Sequence, residues 1–199
     1  LGTYKTLSFS ASYNYIRNTA TTALARHETK ADVLLKRRIN IPSYSTLSLG
    51  LDWSDSFGPY SPSVEVGFQK QLLKYSGLTF DRPMLELSTS HYVELGKGWS
   101  VNADASYSSR SHSLFSEYSA KWSYSLMLSK EIGNFTFDLS LQNLFLDNKQ
   151  YRTRRMAGIF AQEIEAQDFS GVGLNVSYRI HSVKAAYRNK KTSSEGQRF

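Results

Sequence analysis

An all-β, antiparallel, membrane-spanning barrel is the fold class to which three observations in this 199-residue sequence point. Apolar and polar residues alternate with period two in about eight segments, as strand side chains that point to opposite faces require. These segments run to about ten or twelve residues, against roughly five or six in soluble sheets. Tyr or Trp stands towards the ends of their apolar faces, where an amphipathic ring suits the headgroup level of a bilayer.

Composition agrees. Aromatics make up 14% of the chain, Tyr occurs 13 times and Pro only 4, which favours strands. Ser, Asp, Lys or Arg interrupts every apolar run well short of the roughly 20 residues of a transmembrane helix. Without cysteine there is neither a disulfide framework nor a thiolate metal site. The formal charge of +7 suits nucleic acid or an anionic membrane surface and does not choose between them. Nothing after Leu1 has the order of a secretory leader, so a removed leader or a fragment is expected.

The strands follow in order. In residues 4–15, Leu7, Phe9, Ala11, Tyr13 and Tyr15 oppose Thr6, Ser8, Ser10, Ser12 and Asn14. In 31–41, Val33, Leu35, Ile39 and Ile41 share a side, with Arg37 breaking the pattern; in 47–53, Leu47, Leu49, Leu51 and Trp53 alternate with Ser48, Gly50 and Asp52. Leu85, Leu87, Val93 and Leu95 then lead through Gly96-Lys97-Gly98 to Trp99, Val101, Ala103, Ala105 and Tyr107, a tight hairpin. A second hairpin joins Tyr118, Ala120, Trp122, Tyr124, Leu126 and Leu128 through Ile132-Gly133-Asn134 to Phe135, Phe137, Leu139, Leu141 and Phe145. Val172, Leu174, Val176, Tyr178 and Ile180 close the series.

Short turns are expected near Pro42-Ser43, at 96–98 and at 132–134, and longer connections at 17–30, 57–82, 109–116 and 147–168. Short on one side and long on the other is the pattern of an outer-membrane barrel, with short turns in the periplasm. Residues 64–75 read as loop structure above the membrane, because one more crossing there reverses the parity of every earlier turn. The expected layout is strands and loops over 1–181 and a polar, basic periplasmic tail over 182–199.

The polar faces consist mainly of Ser, Gly, Asn and Asp, too small to fill the interior of a closed eight-stranded barrel, so a wider barrel is expected. Asp52, Glu86, Asp104, Arg110, Lys121, Asp138 and Arg179 are expected to face the lumen, hydrated or paired with a plug. On lipid each would cost about 2–4 kcal/mol at the midplane for Arg or Lys, and less for Asp or Glu. Tyr15, Trp53, Trp99, Tyr107, Tyr118 and Tyr178 are the expected aromatic girdles.

His27, His91, His112 and His181 lack metal-ligand spacing and read as loop or surface residues. A serine-rich strand face offers hydroxyls without an activating base, so no catalytic residue, metal or cofactor is expected. The Arg152-Thr-Arg-Arg155 run reads as a solvated face, with a grip on anionic lipopolysaccharide or substrate as the sharper alternative. Asn134-Phe-Thr136 and Asn175-Val-Ser177 match the glycosylation triplet by chance, lying on strands.

Three segments, Trp122-Ser-Tyr-Ser-Leu-Met-Leu-Ser-Lys130, Phe135-Thr-Phe-Asp-Leu-Ser-Leu-Gln-Asn-Leu-Phe145 and Gly171-Val-Gly-Leu-Asn-Val-Ser-Tyr-Arg-Ile180, resemble the last three strands of TonB-dependent outer-membrane receptors. Upstream, Val66-Gly-Phe-Gln-Lys-Gln-Leu-Leu-Lys-Tyr75, Asp81-Arg-Pro-Met84 and Gly98-Trp99 resemble the subgroup known as the outer-membrane protein β-barrel family. That family usually has Asp where this chain has Asn143, a structural position near a strand end.

The resemblance implies the C-terminal part of a barrel of about 22 strands with a plug, in the outer membrane of a Gram-negative bacterium. It implies uptake of a scarce nutrient driven by an inner-membrane energy-coupling complex, with lipid, lipopolysaccharide and other outer-membrane proteins as neighbours. Two other functions compete. A plugless barrel would scaffold outer-membrane partners, and a soluble basic all-β domain would bind single-stranded nucleic acid. The second needs aromatics interleaved with Lys and Arg on one face, whereas here the aromatic face is nearly free of charge, so no nucleic-acid partner is expected.

Overall fold

The structure, a computed structural model, describes residues 5–30, 33–146, 149–156, 159–166 and 170–180. The expected tail at 182–199, and His181, lie outside the described residues.

Thirteen strands follow in chain order: β1 (Thr6–Arg26), β2 (Leu34–Ser54), β3 (Tyr60–Tyr75), β4 (Leu78–Phe80), β5 (Met84–Gly96), β6 (Trp99–Ser108), β7 (Ser111–Ser113), β8 (Ser116–Tyr118), β9 (Lys121–Ile132), β10 (Phe135–Gln142), β11 (Lys149–Met156), β12 (Ile159–Ala166) and β13 (Gly171–Tyr178). Eight of them form one antiparallel wall in the order β1-β2-β3-β5-β6-β9-β10-β13, with β4 attached to β3. The wall does not close on itself: β1 and β13 are its two edges. A second sheet, β12-β11-β8-β7, is made from what connects β6 to β9 and β10 to β13.

Register carries the alternation across the whole wall. Phe9 pairs with Leu51, Leu51 with Val66, Val66 with Leu87, Leu87 with Tyr107 and Tyr107 with Trp122. Leu128 likewise pairs with Leu139, and Leu139 with Leu174. One face is therefore mainly apolar, with Lys70, Thr89 and His91 as exceptions, and no second layer among the described residues covers it: Phe9 and Leu174 are each 71% exposed. In a soluble two-sheet sandwich these side chains would be the core. Here the buried apolar residues among those described are Ala23, Leu24, Ile41, Leu73, Phe80, Phe115 and Ile159, none of them in the middle of the wall.

The connections sort by end. Residues 55–59, 96–98 and 132–134 turn at one end, tied to each other by the Glu94 amide donating to Pro59 O (2.8 Å) and the Glu131 amide to Gly98 O (2.8 Å). The turn Lys97-Gly98 has positive φ at both residues (51° and 76°), as a two-residue hairpin that matches strand twist requires. A Cβ at residue 98 would stand 2.7 Å from Glu131 O, so only glycine fits there. The long connections, with the second sheet, all lie at the other end.

Two expectations fail here. Pro42-Ser43 is not a turn but the middle of β2. Arg17 pairs with Ser43 and Thr19 with Ile41, leaving Asn18 opposite Pro42 as a missed rung. Proline has no N–H to give to the ladder, and Asn18 takes φ 52°, so the strand kinks and continues instead of reversing. Residues 17–26, expected as loop, are consequently the upper half of β1. Residues 64–75 are not loop either: they belong to β3, which pairs with β2 on one side and β5 on the other. Splitting β2 and omitting β3 are errors of opposite sign, so the strand number of the wall stays at eight while residues 47–53 run opposite to the expected direction.

At the long-loop end Ile41, Leu73, Phe80 and Phe115 form the one buried cluster among the described residues, flanked by Ile39, Tyr44, Tyr75 and Leu114. Phe115 packs edge-on against Phe80 (5.3 Å) and Tyr75 (5.2 Å). Buried Gln71 holds the tip of the β7–β8 hairpin over this cluster. Its Nε2 donates to Phe80 O (2.9 Å) and Leu114 O (2.8 Å), and its Oε1 accepts from the Leu114 amide (2.8 Å).

Candidate functional site

The face opposite the apolar one is built from short polar side chains. Around a hollow of about 480 Å³ stand Asp52, Glu65, Ser88, Ser90, Asp104 and Ser125, among others. Their hydrogen bonds run both along and across strands. Asn102 Nδ2 (2.7 Å) and Ser125 Oγ (3.0 Å) donate to Asp104 Oδ2, Ser129 Oγ donates to Asp138 Oδ1 (2.7 Å), and Asn175 Nδ2 to Asp138 Oδ2 (3.3 Å). Ser106 and Ser123 share a bond of 2.6 Å. Gly50 and Gly173 lie so close to Ser10 and Ser140 that a Cβ would meet those hydroxyls at 2.6 and 2.7 Å. Among the described residues nothing bulky fills the space in front of this face.

Of the expected lumen residues, Asp52, Glu86, Asp104, Lys121 and Asp138 occupy this polar face, on β2, β5, β6, β9 and β10. The other two lie outside the wall's strands. Arg110 sits between β6 and β7, with its Nε 3.5 Å from Glu117, and Arg179 follows β13, its amide donating to Asn134 O (2.8 Å). Glu65, paired with Asp52, belongs to the same face, which the expectation of a loop at 64–75 leaves out. The alternation Val64, Val66, Phe68 against Glu65, Gly67, Gln69 is the signal that identifies it.

Aromatic residues fall at two levels of the apolar face. Trp53, Trp99, Phe135 and Tyr178 lie towards the short-turn end, with Lys130 Nζ 4.8 Å above the Trp99 ring. Tyr15, Tyr107 and Trp122 lie towards the long-loop end, the last two with ring centroids 4.4 Å apart. Tyr107 lies eight positions after Trp99 along β6, about 27 Å at about 3.4 Å per residue and about 19–22 Å in height at a tilt of about 35–45°, close to the apolar band of roughly 25 Å on membrane barrels. Tyr118 is a correction. It lies on β8 in the second sheet, because the chain breaks pairing at Ser119-Ala120 before β9 begins.

His27 lies in the connection between β1 and β2, whereas His91 and His112 stand on strands. His91 is on the apolar face of β5, where Tyr60 Oη is 2.7 Å from Nδ1 and Thr89 Oγ1 is 2.8 Å from Nε2; with both ring nitrogens partnered, the imidazole can sit among apolar neighbours. His112, on β7, is half-buried against Phe80 and accepts the Arg82 amide on Nδ1 at 3.1 Å. Burial holds its pKa below the ordinary imidazole value, more strongly than nearby Glu117 raises it. No group of three His, Cys, Asp or Glu among the described residues could hold a metal ion.

Charge divides by height. The polar face carries Asp52, Glu65, Glu86, Asp104 and Asp138 against Lys121, whereas the long-loop end carries Arg82, Arg110, Arg152, Arg154 and Arg155 against Glu117 and Glu163.

A bare apolar face with two aromatic levels, backed by a polar face, is the surface plan of a barrel wall in lipid. Residues 2–178 match the outer membrane protein beta-barrel family. The chain belongs to that family. It matches no curated protein and no solved structure. As an outer-membrane barrel chain it turns its apolar face to hydrocarbon, which explains why Leu7, Leu51, Leu139 and Leu174 need no covering layer. Asn143, where the family's usual residue is Asp, ends β10 with φ 48°, and its Oδ1 accepts the Tyr124 amide at 2.7 Å. A carboxylate oxygen can accept the same bond, and Asp tolerates the same φ.

Proposed function

We propose that this chain is part of the wall of a nutrient-uptake barrel of the TonB-dependent receptor type, in the outer membrane of a Gram-negative bacterium, with no enzymatic role of its own. One observation carries the reading: an eight-stranded wall with two unpaired edges bears an acid-rich face of small residues around open space. Eight strands closed on themselves enclose an interior just wide enough for side chains to fill, and these side chains are too short to fill it. An unpaired edge in hydrocarbon costs several kcal/mol per polar group, so further strands must complete the ladder.

In this reading Asp52, Glu65, Glu86, Asp104, Lys121 and Asp138 face a wide aqueous lumen, hydrated or paired with a plug. The short turns are periplasmic and the second sheet stands outside the cell, beside lipopolysaccharide. An inner-membrane energy-coupling complex would move the plug. Most aromatics of the apolar face sit among Leu and Val, and the cations beside them, Arg17 at Tyr15 and Lys130 at Trp99, stand at the two aromatic levels, an arrangement suited to lipid and not to stacking nucleic-acid bases.

The test is thiol labelling in the native outer membrane, using the full-length protein with Asp104→Cys. A hydrophilic maleimide should react slowly at rest and faster when nutrient and proton-motive force are supplied, and a protonophore should abolish the increase. A rate indifferent to energisation would favour the plugless scaffold instead. No reaction at all would contradict a lumen-facing Asp104.

A further inference from the structure

We propose that the cleft between the β1–β2 arm and the second sheet is a binding site for a dianionic phosphate group. The cleft encloses about 530 Å³, with Leu24 and Lys36 on one side and Ser116, Tyr118, Arg152 and Arg154 on the other. That volume suits a headgroup or a small phosphorylated solute.

The site is built from the register of three strands. Arg152 and Arg154, two apart on β11, share a face; they pair with Tyr118 and Ser116 of β8. The Nε of each donates to buried Ser116 Oγ, at 3.2 and 3.3 Å, and Arg152 lies 5.6 Å from the Tyr118 ring centre. These contacts fix both guanidinium groups by their inner edge. Glu163, opposite Arg152 on β12, reaches Arg152 Nη1 at 3.7 Å and Arg154 Nη2 at 3.9 Å, which is ion pairing without hydrogen-bond geometry.

Lys36, Arg152 and Arg154 against Glu163 give these four residues a formal charge of +2. The Arg154 side chain is only 16% exposed and Arg152 27%, so their charge is partly withdrawn from water. Cations held that way are best matched by an oxyanion with several acceptor oxygens, and planar forks suit phosphate. Arg155 is not part of the site: it lines a different cleft, with Arg82 and Phe160. The inference rests on the second sheet and the β1–β2 arm facing it, and stands whether or not the barrel transports anything.

The experiment uses the full-length protein in detergent micelles at fixed low ionic strength, titrated calorimetrically with inorganic pyrophosphate. A second arm uses nanodiscs containing bisphosphorylated lipid A or the same lipid dephosphorylated. R152Q and R154Q should each weaken binding about tenfold. R154K should recover part of the loss, and R155Q should stay within about twofold of the parent. E163Q should tighten binding, a gain that misfolding cannot produce. Preference for pyrophosphate identifies a soluble ligand, and phosphate-dependent retention on lipid A identifies a headgroup. Binding by neither arm, equal loss in R155Q and R154Q, or no gain in E163Q overturns the proposal.

Discussion

Gln71 is one amide that closes three backbone bonds, and its substitution by leucine isolates what they contribute. Q71L keeps the bulk but leaves Phe80 O and both polar groups of Leu114 without their partner, at a local cost on the order of 2–4 kcal/mol. Amide exchange at 114–116 should accelerate by at least tenfold while the wall strands keep their protection. Unchanged exchange there would mean that Phe115 packing alone holds the hairpin. His112 adds a pH dependence to the same region. Its folded pKa lies below the ordinary imidazole value of about 6.5, so the fold favours the neutral ring. Stability is therefore full above that value and falls as pH drops through the folded pKa. The Arg82 amide bond fits this sign, since it needs an unprotonated Nδ1. Acidifying from about pH 7.5 to about pH 5 should expose 109–118 to exchange, and His112→Gln should flatten that response.

At the scale of the strand, alternation converts directly into a substitution test. Leu49 and Leu139 lie on the apolar face between apolar partners and Ala103 lies there between Leu126 and His91, whereas Ser48, Ser106 and Ser140 lie on the polar face of the same strands. Arginine at the first three should impair insertion by about 2–4 kcal/mol each near the bilayer centre, seen as loss of the heat-modifiable band on gels. Arginine at the three serines should assemble like the parent. The same alternation was legible in the sequence wherever a strand had regular rungs, as in β6, β9, β10 and β13. It failed where a rung is missing. Pro42 opposite Asn18 carries the ordinary chemistry of a turn, and only the partner strand shows that the chain goes straight on. β3 was hidden differently: Lys70 and the pair Leu72-Leu73 blur its period, because Leu72 stays on the outer face while Leu73 is wholly buried in the loop-side cluster. The second sheet left hardly any trace, since three-residue strands such as β7 and β8 are too short for a period to register. Arg152 and Arg154 were conspicuous by composition, but Ser116, which orients them, is a serine among many until the register of β8 is known.

For the molecule as a whole the open question is what lies against its two edges. Strands β1 and β13 each offer a row of backbone groups to a neighbour. Cysteines placed on β1 and β13 of the full-length protein should form no disulfide with each other, and each should cross-link to a strand outside 5–180. A β1–β13 cross-link at high yield would instead describe a closed eight-stranded cylinder and exclude a wide lumen.

The division of charge by height has a consequence for anything that travels along the wall. A solute entering from the long-loop end meets guanidinium groups first and carboxylates afterwards, so the electrostatic potential changes sign along its path. At physiological salt each zone reaches only about 8 Å into solution. A small anion is thus drawn to the entrance and repelled from the passage beyond it, and a cation experiences the reverse. Under the uptake function proposed above, a molecule with opposite charges at its two ends is the solute this sequence of fields would orient, anionic end trailing, before any specific contact is made.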